Sequence, residues 1–108
     1  MNPRWAISPT KELEFCVYDV RDSNWNKVKG LYIFAKVTNN RWSPLYIGKT
    51  EDFSQRMPNH ERFDDAIRRG ATHIHAVALP NWNSQSLDLA ERYLITYYEP
   101  PLNTQHLR

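Results

Sequence analysis

Two short alternating runs separated by turn chemistry constrain the fold of this chain more than any other feature. In residues 30–37, Leu31, Ile33, Ala35 and Val37 fall on one side of an extended strand, with Tyr32, Phe34 and Lys36 on the other. Residues 38–44 carry Asn39-Asn40 and Ser43-Pro44, which favour turns. Residues 45–49 resume the strand pattern, placing Leu45 and Ile47 on one face and Tyr46 and Gly48 on the other. The two runs are expected to pair as a hairpin with Tyr32 and Tyr46 on one face. The pattern alone does not fix their register.

The remaining segments supply partners for that hairpin. Residues 12–21 alternate loosely through Phe15, Val17, Tyr18 and Val20 and read as extended, followed by a polar loop over 22–26. Asp52 can cap a short helix running to Arg56, which Pro58 interrupts. Residues 61–69 read as a helix with Phe63, Ala66 and Ile67 at helical spacing and Gly70 as a stop. Residues 73–79 form a third strand. A last helix, capped by Ser84 or Ser86, runs to about Tyr98 and ends at Pro100-Pro101. The expected fold class is α/β, a small three-stranded and mainly antiparallel sheet flanked by helices, with an N-terminal extended segment. The boundaries are an extension over 1–28, able to add a strand, one domain over 29–105, and a tail over 106–108.

Bulk properties set the class. A chain of 108 residues with 41% hydrophobic and 24% charged content fits one ordinary soluble domain. No apolar run approaches the roughly 18 residues of a membrane span, and the first ten residues lack a signal-peptide stretch. The lone Cys16, between Phe15 and Val17, reads as a reduced core thiol, and a cytoplasmic location follows by default. A net charge of +2 makes a weak case for nucleic acid by itself. Lys27, Lys29, Lys36, Arg41 and Lys49 crowd the first half, either as a strip tracking phosphates or as a solvated face. Trp25, Trp42 and Trp82 lie beside turn residues, where an indole stacks on a base or caps a small core.

The last helix carries the most informative residue. Leu87, Ala90, Leu94, Tyr97 and Tyr98 share one stripe, and Glu91 lies within it. A carboxylate turned toward the core costs several kcal/mol unless paired or bound to a cation. It is either half of a buried ion pair, with Arg56 a candidate partner, or a metal ligand. Two other motifs carry less. Gly48-Lys49-Thr50 resembles the end of a phosphate-binding loop, but Ser43 stands where that loop needs glycine. His73 and His75 read as an exposed pair around a core-facing Ile74, without a third zinc ligand of matching spacing.

Together, Gly30-Leu31-Tyr32, Tyr46-Ile47-Gly48, Arg56, His60, Glu91 and Asn103 resemble the GIY-YIG nuclease superfamily over residues 29–105. Each motif is weak alone, whereas the ordered set is specific. The resemblance implies an endonuclease that hydrolyses phosphodiester bonds, with nucleic acid, DNA foremost, as partner. It implies one Mg²⁺ or Mn²⁺ held by Glu91 and a phosphate bound by Arg56. Tyr32 or Lys49 would activate water, with Tyr46 and His60 completing the catalytic set. Gly48, Asn103 and the loop residues Arg41 and Trp42 would contact substrate, Asn103 by tying the C-terminal segment to the site. Three departures stand out: Leu31 replaces isoleucine, the turn over 39–44 is long, and Pro58 is expected to bend the helix between Arg56 and His60. The 29 residues before Gly30 are too few for a separate DNA-reading domain, which leaves room for a homodimer. The alternative reading is a non-catalytic nucleic-acid-binding or protein-interaction module that retains the fold.

Overall fold

The computed structural model describes residues 2–104, so the tail expected over 106–108 lies outside the described residues. The two alternating runs form strands β4 (Gly30–Thr38) and β5 (Arg41–Thr50), paired antiparallel with Tyr32 opposite Gly48 and Ile33 opposite Ile47. The turn between them is short. Asn39 and Asn40 both adopt left-handed backbone, with φ of 51° and 62°, as a two-residue hairpin loop requires to preserve strand twist. Residues 41–44 belong to β5 rather than to the long turn expected there.

The pairing slips between Phe34, opposite Tyr46, and Ala35, opposite Pro44, leaving Leu45 as the extra residue of a bulge. Pro44 has no N–H to give the ladder, and the bulge sits beside it. It turns Leu45 onto the face of Tyr32 and Phe34, whereas strict alternation puts it with Ile47.

Strand β6 (His73–Ala78) pairs along the other side of β4, and β3 (Cys16–Asp19) pairs along β6. The resulting order is β3-β6-β4-β5, antiparallel throughout, so the sheet has four strands rather than three. Residues 12–21 are not one continuous strand. Their first part joins β2 (Lys11–Glu14), which forms a separate hairpin with β1 (Arg4–Ser8). Phe15, fully buried between β2 and β3, anchors the crossing, and Cys16 after it is exposed rather than a core thiol.

Both faces of the sheet are covered. On the first, Leu31, Ile33, Ala35 and Ile47 pack with Leu87, Ala90 and Leu94 of helix α3 (Ser84–Tyr98), and β1 adds Trp5 and Ile7. Asn83 caps α3 by accepting the Ser86 N–H. Tyr97 leaves the expected stripe and is 61% exposed, while Tyr98 turns inward and accepts the Ala6 N–H. On the second face, Tyr32, Phe34, Leu45 and Ile74 pack against helix α1 (Phe53–Arg56), a 3-10 turn (Met57–Asn59) and helix α2 (Phe63–Arg68). Helix α2 starts after residue 62, not at 61, because the His60 ring accepts the Arg62 N–H and its carbonyl accepts the Phe63 N–H.

Strand β6 lies inside the sheet, so its residues are buried alternately on both faces. His75 is therefore wholly buried, contrary to the exposed pair expected with His73. Its Nδ1 accepts the Trp5 indole N–H at 3.0 Å, which places the hydrogen of the neutral ring on Nε2. That nitrogen has no hydrogen-bond partner, and the Trp42 ring stands perpendicular to His75, 4.3 Å between ring centroids. Trp42 and Trp82 pack against this first core. Trp25 stacks on Phe53 at the margin of the second, 5.8 Å between ring centroids.

Candidate functional site

Polar side chains converge where the second face meets the β5 edge. Tyr32 is almost wholly buried there. A Cβ on Gly48 would lie 2.5 Å from the Tyr32 Cζ and hydroxyl oxygen, so glycine at 48 is what lets the phenol cross its partner strand. The Tyr46 ring lies 6.4 Å from Tyr32 and 5.1 Å from His60.

Pro58 lies in the first turn of the 3-10 segment, which redirects the chain and leaves His60 in extended backbone. The bend delivers His60 to the site, with its Nε2 2.6 Å from the Tyr32 hydroxyl oxygen. Its Nδ1 accepts the Arg62 N–H at 3.0 Å, so the neutral ring carries its hydrogen on Nε2 and donates to Tyr32. Burial, reinforced by the Arg56 charge, depresses the His60 pKa to about 4 and keeps the ring neutral near pH 7.

Arg56 ends α1, whose N-cap Asp52 accepts the Ser54 N–H at 2.9 Å. Its guanidinium forms a two-bond fork on Glu61, at 2.7 and 2.9 Å. The fork holds the Glu61 pKa down at about 2 and raises that of Arg56. The positive charge of Arg56 also acts on the Tyr32 phenol. Burial, neighbouring Tyr46 and Glu91 oppose the Tyr32 phenolate, while the Arg56 charge and the His60 N–H favour it. Burial prevails and the phenol sits above its ordinary pKa.

Glu91 comes from α3, which packs along β5 and sets the carboxylate beside Lys49. Arg56 is not its ion-pair partner. Burial raises the Glu91 pKa, and the charge and backbone N–H of Lys49 act against that rise. Its own charge in turn raises the pKa of both Tyr32 and Tyr46, so the carboxylate lies within electrostatic range of both phenols. Among the described residues Glu91 makes no ion pair, and no cluster of three His, Cys, Asp or Glu could cage a metal. One half-buried carboxylate suits a Mg²⁺-type ion, which keeps several waters, and not a structural zinc.

Asn103, on helix α4 (Pro101–Thr104), accepts the Ile47 N–H at 2.7 Å and donates to the Ile47 carbonyl at 2.9 Å. It fastens the β5 edge next to Gly48. Arg41 and Trp42 are not brought to this cluster. Trp42 lies five residue pairs along the ladder from Tyr32–Gly48, about 17 Å away, and packs on His73 and His75. Glu61 is the site residue that the motifs did not single out. Its signal was a carboxylate just past the Pro58 bend, within reach of Arg56.

No family model and no curated protein matches this chain. Solved structures do. It is similar to crystal structures of the GIY-YIG N-terminal endonuclease domain of UvrC from Thermotoga maritima, point mutants bound to its catalytic divalent cation. Two of these superpose with a TM-score of 0.55 at 25% and 26% identity, each covering 70% of this chain and 82% of that chain. No helix of the described residues is long and apolar enough to cross a membrane. The hairpin, the sheet and the flanking helices make this a GIY-YIG-like domain, a nuclease-like fold.

Proposed function

We propose that the chain is a divalent-metal-dependent endonuclease that hydrolyses phosphodiester bonds in DNA. The observation that carries this reading is the convergence of Arg56, Tyr32 with His60, Tyr46 and the unpaired Glu91 at one sheet edge. The UvrC domain, whose structures hold a catalytic divalent cation, lends support through the shared fold. Residues 29–105 would act as the nuclease unit, with 1–28 bracing the sheet.

Arg56 would take the scissile phosphate with its planar fork once Glu61 swings away, neutralising charge as the pentacovalent state forms. Glu91 would hold Mg²⁺ or Mn²⁺, which when bound supplies positive charge against a phosphate oxygen and the leaving oxygen. Of the two groups proposed to take the proton from water, Tyr32 lies within the cluster, although burial holds its phenol above the ordinary pKa. His60 Nε2–H donates to its oxygen, and the Arg56 charge favours the phenolate it would become. Lys49 is exposed and opposes the charge of Glu91. Gly48 and Tyr46 would border the phosphate, and Asn103 would hold the β5 edge in place.

The test is a cleavage panel of single- and double-stranded substrates in Mg²⁺ and Mn²⁺. Wild type should cut, and Glu91→Ala should not. A wild type inert on every substrate in both metals refutes the reading. The Glu61 carboxylate filling the Arg56 fork favours one second reading, a binding module without turnover. That reading predicts metal-independent binding that Glu91→Ala leaves unchanged.

A further inference from the structure

A cavity of about 650 Å³ opens beside His60, between the loop over residues 20–25 and helix α2. Trp25, Phe63 and Ile74 contribute apolar wall, while Ser23, Asn59 and Asp64 contribute polar atoms. Ile67, a further lining residue, is 39% exposed, apolar surface left without a partner. The volume lies within the range of small-ligand sites, and mixed aromatic and polar lining is what such sites use.

We infer that this cavity receives one unpaired nucleobase of the substrate, an inference that rests on the nucleic-acid reading of the adjoining site. Position is the first argument. His60 lines the cavity, and its ring contacts the Tyr32 hydroxyl. The site tyrosines stand on β4 and β5, and the cavity wall includes Ile74 on β6, one strand spacing of about 4.8 Å beyond β4. The cavity wall also includes Met57, the residue after Arg56, so a phosphate on Arg56 lies beside the cavity.

Charge is the second argument. Asp22 and Asp64 line the cavity, and the Arg21 guanidinium is committed to Asp19 at 2.9 and 3.1 Å. Such a lining disfavours phosphate and suits a neutral ring. Indole and phenyl groups offer stacking surfaces, a carboxylate accepts from exocyclic amines, and the Asn59 amide both donates and accepts. A base held in a duplex stack does not reach such a pocket. The substrate must present that nucleotide single-stranded, bulged or extruded.

The pocket also gives residues 20–25 a function in substrate selection beyond closing the fold.

The experiment compares binding of the full chain to three fluorescent oligonucleotides without metal: a single strand, the same strand with abasic sites, and a perfect duplex. The expected result is that the intact single strand binds roughly 10-fold or more tighter than the abasic strand, the size of one stacked base. Ser23→Leu, at the exposed rim, should erase that difference while leaving abasic binding unchanged. Trp25→Leu should do the same, and its circular dichroism and melting curve report whether it folds. Equal affinity for intact and abasic strands overturns the proposal, as does Ser23→Leu that folds and keeps the full preference. Cleavage in Mg²⁺ separates the two readings. A protein that cuts both strands equally well retains the nuclease and loses the pocket, whereas base-dependent binding without cutting retains the pocket and loses the nuclease.

Discussion

The two faces of the sheet each bury a histidine, and the two rings serve different ends. His75, on the first face, accepts from Trp5 of β1 and lies edge to face with Trp42 of β5. His60, under α1 and α2, is fixed by the Arg62 backbone and aims its other nitrogen at Tyr32. Burial leads the depression of both, each to a pKa of about 4, so both are neutral near pH 7. What separates them is where the Nε2–H goes. In His75 it meets no hydrogen-bond acceptor. In His60 it meets a phenol that also feels the charge of Arg56. Burial and a lowered pKa are common to structural and functional histidines. The partner of the second nitrogen tells them apart.

The sharpest way to break this division is to cut each face. Arg56→Ala should lower cleavage at least about 100-fold, the cost of losing one preorganised donor, with a melting temperature within a few degrees of wild type. His75→Leu should do the reverse. It orphans the Trp5 N–H at a cost of about 1–3 kcal/mol in urea unfolding, while the folded fraction keeps its turnover. A well-folded His75→Leu protein without activity would erase the distinction.

A pH series probes what the rings share. Both have folded pKa values of about 4, below the unfolded value near 6.5. The unfolded chain therefore binds protons that the folded chain refuses. Their contribution to stability is complete above pH 6.5 and is lost as pH falls through that window toward 4. Each ring loses about 1.4 kcal/mol for every pH unit crossed between the two values. Urea midpoints should drop between pH 7 and pH 5, and both His75→Leu and His60→Gln should flatten the drop. A slope unchanged in both variants would place the linked protons elsewhere.

The smallest effect belongs to Glu61→Gln. An exposed ion pair is worth about 0–1 kcal/mol, so freeing the Arg56 fork should lower KM by up to roughly 5-fold at constant kcat. A fall in kcat instead would make Glu61 a residue that orients Arg56.

Much of this was legible in the sequence because local rules governed it. The hairpin, the Asp52 cap and the α3 stripe follow from alternation, capping and helical periodicity. Glu91 stood out because a carboxylate among Leu87, Ala90 and Leu94 conflicts with its surroundings. What escaped notice depended on tertiary contacts. The bulge at Leu45 needs the pairing of Phe34 with Tyr46 and of Ala35 with Pro44. The burial of His75 needs β6 to be an interior strand, which depends on residues 16–19 arriving to cover it. Glu61 reaches Arg56 through a bend that Pro58 signals without revealing its direction.

The amide of Asn103 bonds both backbone groups of Ile47, as a residue of a neighbouring strand would. Strand β5 is an edge strand, and open edges recruit other chains. By occupying that rung, a single side chain serves as a stopper. It denies the edge to foreign strands at the position next to Gly48, so the same contact that steadies the site also guards the domain against edge-to-edge association.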